Sequence, residues 1–453
     1  MSLMVSISGI RGVVGDSLTP EVVVKYASAF AEYCHRGRIV IGRDGRLTGK
    51  TIAHLVSSTL LQMGCDVSAI GVCPTPTVAL AVEKTKAAGG IAVTASHNPM
   101  QWNGLKFFAP TGMFLDAEQN RELWRIAENP SRRYVPWETQ GSHSSLEGFI
   151  STHIKTALSL PYVDARKIRK QKFKVVVDCV DAAGGVIVPI LLKQLGCRVI
   201  PMNCDVTGVF SHTPEPIPAN LKDLSKRVRK EKADFGIAVD PDVDRLVLLD
   251  EKGEPIGEEY TVAAAVKFVL GKAAKRSNQS VVVNLSTTRA IDDIAAALNA
   301  RVVRTAVGEI NVAKKMKEIG AIVGGEGNGG VILPKVHYVR DAIVGIVLTL
   351  QYLAEFGGTL SELKRSLPEY HITKGKVELG SLDPNRALRK IQDKFSAGGK
   401  VHTDDGLKID FSDSWVHLRK SNTEPIVRII AEAPTVRGAD ELVARFTKEL
   451  GGT

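Results

Sequence analysis

Gly90-Ile91-Ala92-Val93-Thr94-Ala95-Ser96-His97-Asn98-Pro99 is the stretch that decides how this chain folds. Its first four residues form a continuous apolar run, as a strand buried on both faces requires. Asn98-Pro99 is a turn-forming pair, because proline restricts the residue before it. Ser96 therefore falls where a buried strand breaks into a loop, a position at which α/β folds carry catalytic side chains. A Ser/Asn turn that merely closes the strand would fit the same residues. The rest of the chain has to decide between them.

The same arrangement returns at Phe235-Gly236-Ile237-Ala238-Val239, an apolar strand followed by Asp240-Pro241-Asp242-Val243-Asp244-Arg245. Three carboxylates at alternate positions can converge on one hard cation. Oxygen ligands suit Mg²⁺, which keeps positions open for water or phosphate oxygen. Arg245 adds a planar fork that matches phosphate. The alternative is a solvated acidic turn, which the buried type of the strand and the adjacent arginine oppose. An EF-hand is excluded, because the sixth position is arginine and not glycine. Near the start, Ser8-Gly9-Ile10-Arg11-Gly12 sets an arginine between glycines, which lets backbone approach a ligand or simply makes a turn.

Four segments occur in order along the chain. They are residues 94–99 continuing to Asn103-Gly104-Leu105-Lys106; residues 240–245; Gly324-Gly325-Glu326-Gly327-Asn328-Gly329-Gly330; and Arg419-Lys420-Ser421-Asn422-Thr423-Glu424-Pro425. Together they resemble the α-D-phosphohexomutase family, whose members include phosphoglucomutase, phosphomannomutase and phosphoglucosamine mutase. The resemblance implies that Ser96 stores a phosphoryl group and passes it to a sugar phosphate, giving a sugar 1,6-bisphosphate intermediate. It implies that Asp240, Asp242, Asp244 and the Ser96 phosphate hold Mg²⁺. Arg11 and Arg245 would hold the transferring group, and Lys106 would serve as acid/base or charge partner. His97 adjoins the nucleophile, as a catalytic group or only as hydrogen-bonding support. Glu326 and Asn328 match the family's sugar-recognition loop. Arg419, Ser421, Asn422 and Thr423, with Arg428 just beyond, match its phosphate-binding loop. The sequence departs where many relatives read G-E-x-S-G-H: Asn328 and Gly330 stand in place of serine and histidine. Glu309 likewise stands where some relatives have histidine. Glu309 and His337 are the candidates for the missing proton-transfer group.

Composition agrees with such a chain. Its 453 residues suffice for three or four domains, and 44% hydrophobic with 24% charged content is ordinary for a soluble protein. No apolar stretch is long enough to span a bilayer, and no signal-peptide pattern is present. Six cysteines without C-x-x-C spacing point to buried thiols and a reducing cytoplasm. A net charge of +10 lacks the basic tracts with interleaved aromatics of a nucleic-acid binder and would attract a dianionic sugar phosphate. The densest basic run, 166–174, reads as a solvated interdomain segment. The expected partner is a small-molecule sugar phosphate, with no nucleic acid and no membrane, and the chain as a monomer or homodimer.

Strands and helices alternate through three rounds, which predicts an α/β protein of three similar domains with mixed sheets. A smaller C-terminal α+β domain follows, and the resemblance places all four around a central cleft. The expected domains are 1–150, with the phosphoserine loop; 151–255, with the metal loop; 256–369, with the sugar loop; and 370–453, with the phosphate loop. Residues 368–373 are the expected hinge to the last one. The Thr-Glu-Pro ending of the phosphate loop resembles phosphoglucosamine mutases, so glucosamine phosphate leads glucose and mannose phosphates as the expected substrate. A non-catalytic sugar-phosphate-binding protein and a metal-dependent sugar phosphatase are the competing functions.

Overall fold

The computed structural model describes residues 2–129, 131, 133–273, 279–378, 383–395, 398–420 and 426–451. Among these residues the strands form four sheets. The first is mixed and runs, edge to edge, Met4–Ser6, Gly9–Val13, Trp102–Phe108, Gly89–Val93, Ile39–Arg43, Val67–Val72, His143–Ser145. The second runs Leu246–Leu249, Phe235–Val239, Lys174–Asp178, Arg198–Met202, and the third Arg301–Thr305, Ser280–Asn284, Val323–Glu326, Gly330–Ile332. The fourth is antiparallel throughout: His371–Glu378, Ile426–Ala433, Trp415–Lys420, Leu407–Asp410, Lys400–His402. Three mixed α/β sheets and a separate antiparallel sheet with helices are the expected fold class.

One device repeats in the first three sheets. A central parallel strand turns through a short loop into an antiparallel neighbour: Gly89–Val93 into Trp102–Phe108, Phe235–Val239 into Leu246–Leu249, and Val323–Glu326 into Gly330–Ile332. Each such strand is buried along its length, so its last residues deliver the loop to the carboxyl edge of the sheet. The three loops carry Ser96, the three aspartates and Asn328. The glycines around Arg11 leave open a ligand-approaching segment or a plain turn. Gly9–Val13 is instead a strand paired with Trp102–Phe108, and a Cβ on Gly104 would lie 2.2 Å from the Ile10 carbonyl oxygen. Glycine there is what lets the two strands close up.

The basic run at 166–174 is largely exposed, as expected, but much of it is helical. Ala165–Gln171 is a helix capped by Asp164, and it buries Ile168. The helix Ala342–Phe356 is apolar nearly all round and sits inside a core that runs without interruption through the second and third sheets. The fourth sheet has its own core, built on residues such as Ile391, Leu418, Ile429 and Phe446. Its contacts with the third sheet are largely polar. His417 Nδ1 lies 2.8 Å from Ser286 Oγ, Val307 N donates to Asp405 Oδ2 at 2.9 Å, and Arg289 N donates to Glu432 Oε2 at 2.9 Å. A separate core behind a polar interface suits a body that moves. The Tyr260 hydroxyl grips the connection, 2.9 Å from Tyr370 N and 3.2 Å from the Pro368 carbonyl. All six cysteines are free thiols, five of them buried. Among the described residues no helix is long and apolar enough to cross a membrane.

Candidate active site

Ser96 is 1% exposed and adopts a left-handed backbone, φ +51°. A non-glycine residue holds that conformation only where its surroundings over-determine it. Here Arg46 does so. Its guanidinium is buried and donates to the carbonyl oxygens of Ser96 (2.5 Å), Asn98 (2.7 Å), Pro99 (2.8 Å) and Trp102 (2.9 Å). Its Nε reaches Asp44 Oδ2 at 3.1 Å, and the ring of Phe210 from the second sheet's region covers it. Asp44 in turn accepts from Thr94 Oγ1 at 2.7 Å, and Thr94 Oγ1 accepts from Ser96 N at 2.9 Å. The loop is therefore a rigid cradle around one arginine.

The Ser96 hydroxyl donates across to Asp240 Oδ2 at 3.0 Å and lies 3.3 Å from His97 Nδ1. Burial, then the charges of Arg245 and Arg11, push the His97 pKa down to about 3. The imidazole is neutral at physiological pH. Arg11 donates to Asn98 Oδ1 at 3.0 Å, which braces the same loop from the neighbouring strand.

In the aspartate loop, Val243 also has a left-handed backbone, φ +62°. Its buried side chain and the bond from Ala342 N to its carbonyl fix the turn that sets Asp242 and Asp244 on one side. Oxygens of Asp240, Asp242 and Asp244 all lie within 4.8 Å of one another. Burial and the two neighbouring carboxylates drive the Asp240 pKa up. Burial works the same way on Asp242 and Asp244, but Lys106 outweighs it at the first and Arg340 and Lys106 at the second, so both stay low. Lys106 Nζ donates to Asp242 Oδ2 at 2.6 Å, and Thr75 Oγ1 donates to the same oxygen at 2.6 Å. Asp242 Oδ1 and Asp244 Oδ1 are buried and accept no hydrogen bond among the described residues. Two orphaned carboxylate oxygens beside a third carboxylate fit a hard divalent cation.

Arg340 joins this loop to the sugar loop. It donates to Asp244 Oδ2 (2.6 Å), Glu326 Oε2 (2.8 Å) and Glu309 Oε2 (3.0 Å). Glu326 also accepts from Asn284 Nδ2 at 2.8 Å, and Asn328 Oδ1 caps Gly330 N at 3.3 Å. A cavity of about 300 Å³ opens over these groups. Arg11, Lys106, Arg245, Glu309, Asn328 and Arg419 all line it, so each of the four sheets or its loops contributes. Arg245 Nε makes no hydrogen bond there. Burial pushes the Glu309 pKa up to about 7. His337 does not face the cavity. It donates to Asp341 beside His153 in a separate buried cluster. Arg428 is exposed, directly across the strand pair from Arg419. Ser421, Asn422 and Thr423 lie outside the described residues.

Four family descriptions match in succession: phosphoglucomutase/phosphomannomutase α/β/α domain I over residues 4–133, domain II over 151–253, domain III over 257–370, and the C-terminal domain over 376–449. The chain belongs to this phosphoglucomutase/phosphomannomutase family. It is a mutase, an intramolecular phosphotransferase of the isomerase class. It is 35% identical over 97% of its length, and 96% of the relative's, to a probable phosphoglucosamine mutase of Methanopyrus kandleri. A phosphoglucomutase/phosphomannomutase of Thermococcus kodakarensis is 36% identical over 96% of this chain and 95% of that one. The crystal structure of a phosphoglucomutase/phosphomannomutase family protein from Burkholderia thailandensis superposes with a TM-score of 0.85 at 25% identity, covering 99% and 98% of the two chains.

Within this family member, sequence reasoning passed over Arg46 and Arg340. Arg46 had a signal. Ile39–Arg43 is another buried strand of the first sheet, and Asp44-Gly45-Arg46 is its break into a loop at the same edge as Ser96. Arg340 had none, because its three carboxylate partners come from distant stretches of chain.

Proposed function

We propose that the chain interconverts hexose 6-phosphate and hexose 1-phosphate, with Ser96 as phosphoryl carrier and a sugar 1,6-bisphosphate as intermediate. The observation that carries this reading is the Ser96 hydroxyl set 3.0 Å from Asp240, in loops joined through Arg11 and Lys106 to a cavity that all four sheets or their loops line. In the forward step the P–O bond to Ser96 Oγ breaks, and a bond forms to the free sugar hydroxyl. That hydroxyl must lose its proton. Glu309 is the proposed acceptor, because it lines the cavity and its raised pKa poises it for proton transfer near neutrality. The bisphosphate then reorients and returns its other phosphate to Ser96.

Asp240, Asp242 and Asp244 are the proposed Mg²⁺ ligands, with the Ser96 phosphate completing the set. The cation's contribution is to offset negative charge on the phosphoryl oxygens. Lys106 is the charge partner of this group and stays protonated against Asp242. Arg11 and Arg245 are placed to hold the transferring phosphoryl, and the neutral His97 supports the serine. The substrate's other phosphate belongs with the last domain. Lys376, Arg428 and Arg419 stand directly opposite one another on three adjacent strands. Like charges so aligned repel, and a bound dianion relieves them. Ser421, Asn422 and Thr423 follow Arg419 in the sequence by two to four residues.

Glu326 and Asn328 are proposed to meet the sugar. Glucosamine phosphate is the preferred sugar in this reading, supported by the probable phosphoglucosamine mutase of M. kandleri as a 35% identical relative. The proposed domain limits are those read from the sequence, and residues 368–373 are the proposed hinge. The test offers glucosamine, glucose and mannose 1-phosphates side by side with Mg²⁺, and follows both 6-phosphate and free phosphate. Isomer without free phosphate supports a mutase. Free phosphate would indicate a phosphatase, and binding without turnover a passive sugar-phosphate binder.

A further inference from the structure

A second cavity, of about 370 Å³, lies between the third domain and the fourth, away from Ser96. Its walls come from the strand Arg301–Thr305 and the start of the helix Ala290–Ala297 on one side. The strands Lys400–His402 and Leu407–Asp410 form the other. Four basic side chains line it, Arg289, Arg304, Lys400 and Lys408, against two carboxylates, Asp292 and Asp410. Both carboxylates are already engaged. Asp292 pairs with Arg304 at 2.5 Å, and Asp410 is shared between Lys408 at 2.6 Å and His402 at 3.0 Å. Arg289 and Lys400 have no carboxylate partner among the described residues.

Of these cations, Lys408 is buried with Asp410 as its one carboxylate partner among the described residues, and Arg289 is incompletely satisfied. Lys408 is 1% exposed, and its ammonium lies 5.0 Å from the ring centroid of the buried Trp415. Burial first, then the charge of Arg304, pushes its pKa down to about 8, against the pull of Asp410. Arg289 donates one NH2 proton to the Ser412 carbonyl at 3.0 Å and lies over the ring of Tyr370, but its buried Nε makes no hydrogen bond. A buried guanidinium nitrogen without an acceptor costs free energy that an anion in the cavity would offset.

We propose that this cavity is a second anion site, which takes a phosphate-bearing dianion and holds the fourth domain against the third. The charge matches, since four cations less two carboxylates leave +2. The position supplies the consequence. Lining residues come from both sides of the polar interface, so an anion that touches both favours the closed arrangement by linkage. The dianion is inorganic phosphate itself or the phosphate of a small metabolite. Binding keeps Lys408 protonated, so the affinity is full below pH 8 and falls above it. Asp410 and His402 on its own sheet, and Arg304, Asp292 and Arg289 across the interface, are the charged groups that face it.

The test uses the full-length protein, Lys400→Glu and Lys408→Met. Lys400 is exposed on an edge strand, so its variant folds even if the buried change does not. Inorganic phosphate and pyrophosphate are titrated while tryptophan fluorescence reports on Trp415, and crystals are soaked in tungstate. The expected result is an anomalous peak within hydrogen-bond distance of Arg289 and Lys408. Affinity should fall at least ten-fold in Lys400→Glu and weaken in the wild type as pH rises through 8. Tighter phosphate assigns the site to the free ion and tighter pyrophosphate to a phosphorylated metabolite. No peak in the cavity overturns the proposal. So does a peak with titrations identical in wild type and variants, which marks an adventitious ion only.

Discussion

Replacing Arg46 by lysine keeps the charge and removes the geometry, and it tests whether the serine loop is built on that one side chain. Arg46 serves five acceptors, the Asp44 carboxylate and the carbonyls of Ser96, Asn98, Pro99 and Trp102. A lysine has three protons to donate, so at least two of the five acceptors go without. Each buried acceptor left unsatisfied costs about 1–3 kcal/mol, so the variant should lose about 2–6 kcal/mol. That is a large part of a typical domain's stability of about 5–15 kcal/mol. Ser96 also loses what holds it at positive φ, and a displacement of about 1 Å at a reacting atom costs on the order of 100-fold in rate. The expected outcome for Arg46→Lys is a lower Tm and a turnover number down on the order of 100-fold, with little change in KM. Thermal unfolding and a coupled isomerisation assay read the two effects. Wild-type turnover in a variant with a lowered Tm would refute the cradle argument, leaving Arg46 a purely structural residue.

Other consequences can be checked alongside. Chelation should abolish turnover and added Mg²⁺ restore it, and Asp242→Asn should need at least ten-fold more Mg²⁺; activity indifferent to a chelator would remove the metal from the account. Arg340→Gln leaves Asp244, Glu309 and Glu326 without their common partner and should cost about 3–5 kcal/mol in denaturant unfolding. His417 is held neutral by burial, with its pKa pushed down from 6.5 to about 4. The folded state then binds fewer protons than the unfolded one, so stability is full above pH 6.5 and falls as pH drops towards 4, by about 2 kcal/mol at pH 5. His417→Gln should flatten that slope in pH-dependent melts. Arg419→Ala should weaken substrate binding and reduce the compaction that small-angle scattering detects when substrate is added. Unchanged binding would place the phosphate grip elsewhere.

What the sequence revealed and what it hid have physical causes. Buried parallel strands are continuous apolar runs, so Gly89–Val93 and Phe235–Val239 are visible, and the loops after them could be located. The strand Gly9–Val13 was hidden because two glycines break its apolar pattern and read as a turn. The glycines serve close strand contact instead. The helix Ala165–Gln171 was hidden by its charges, since it buries little beyond Ile168. The convergence of Asp240, Asp242 and Asp244 followed from alternation alone, but the backbone inversion at Val243 that accompanies it did not. The hub roles depend on carbonyls 50 or more residues from Arg46 and on carboxylates 14, 31 and 96 residues from Arg340. No local pattern records such distances.

The most direct test of the central claim is where the phosphate goes. The protein is incubated with a sugar 1,6-bisphosphate and Mg²⁺, digested, and mapped by phosphopeptide mass spectrometry, before and after a chase with hexose 6-phosphate. The account predicts one phosphate on Ser96 that the chase removes as sugar bisphosphate. A phosphate on another residue, or an unlabelled Ser96 in protein that isomerises hexose phosphate at full rate, would contradict it.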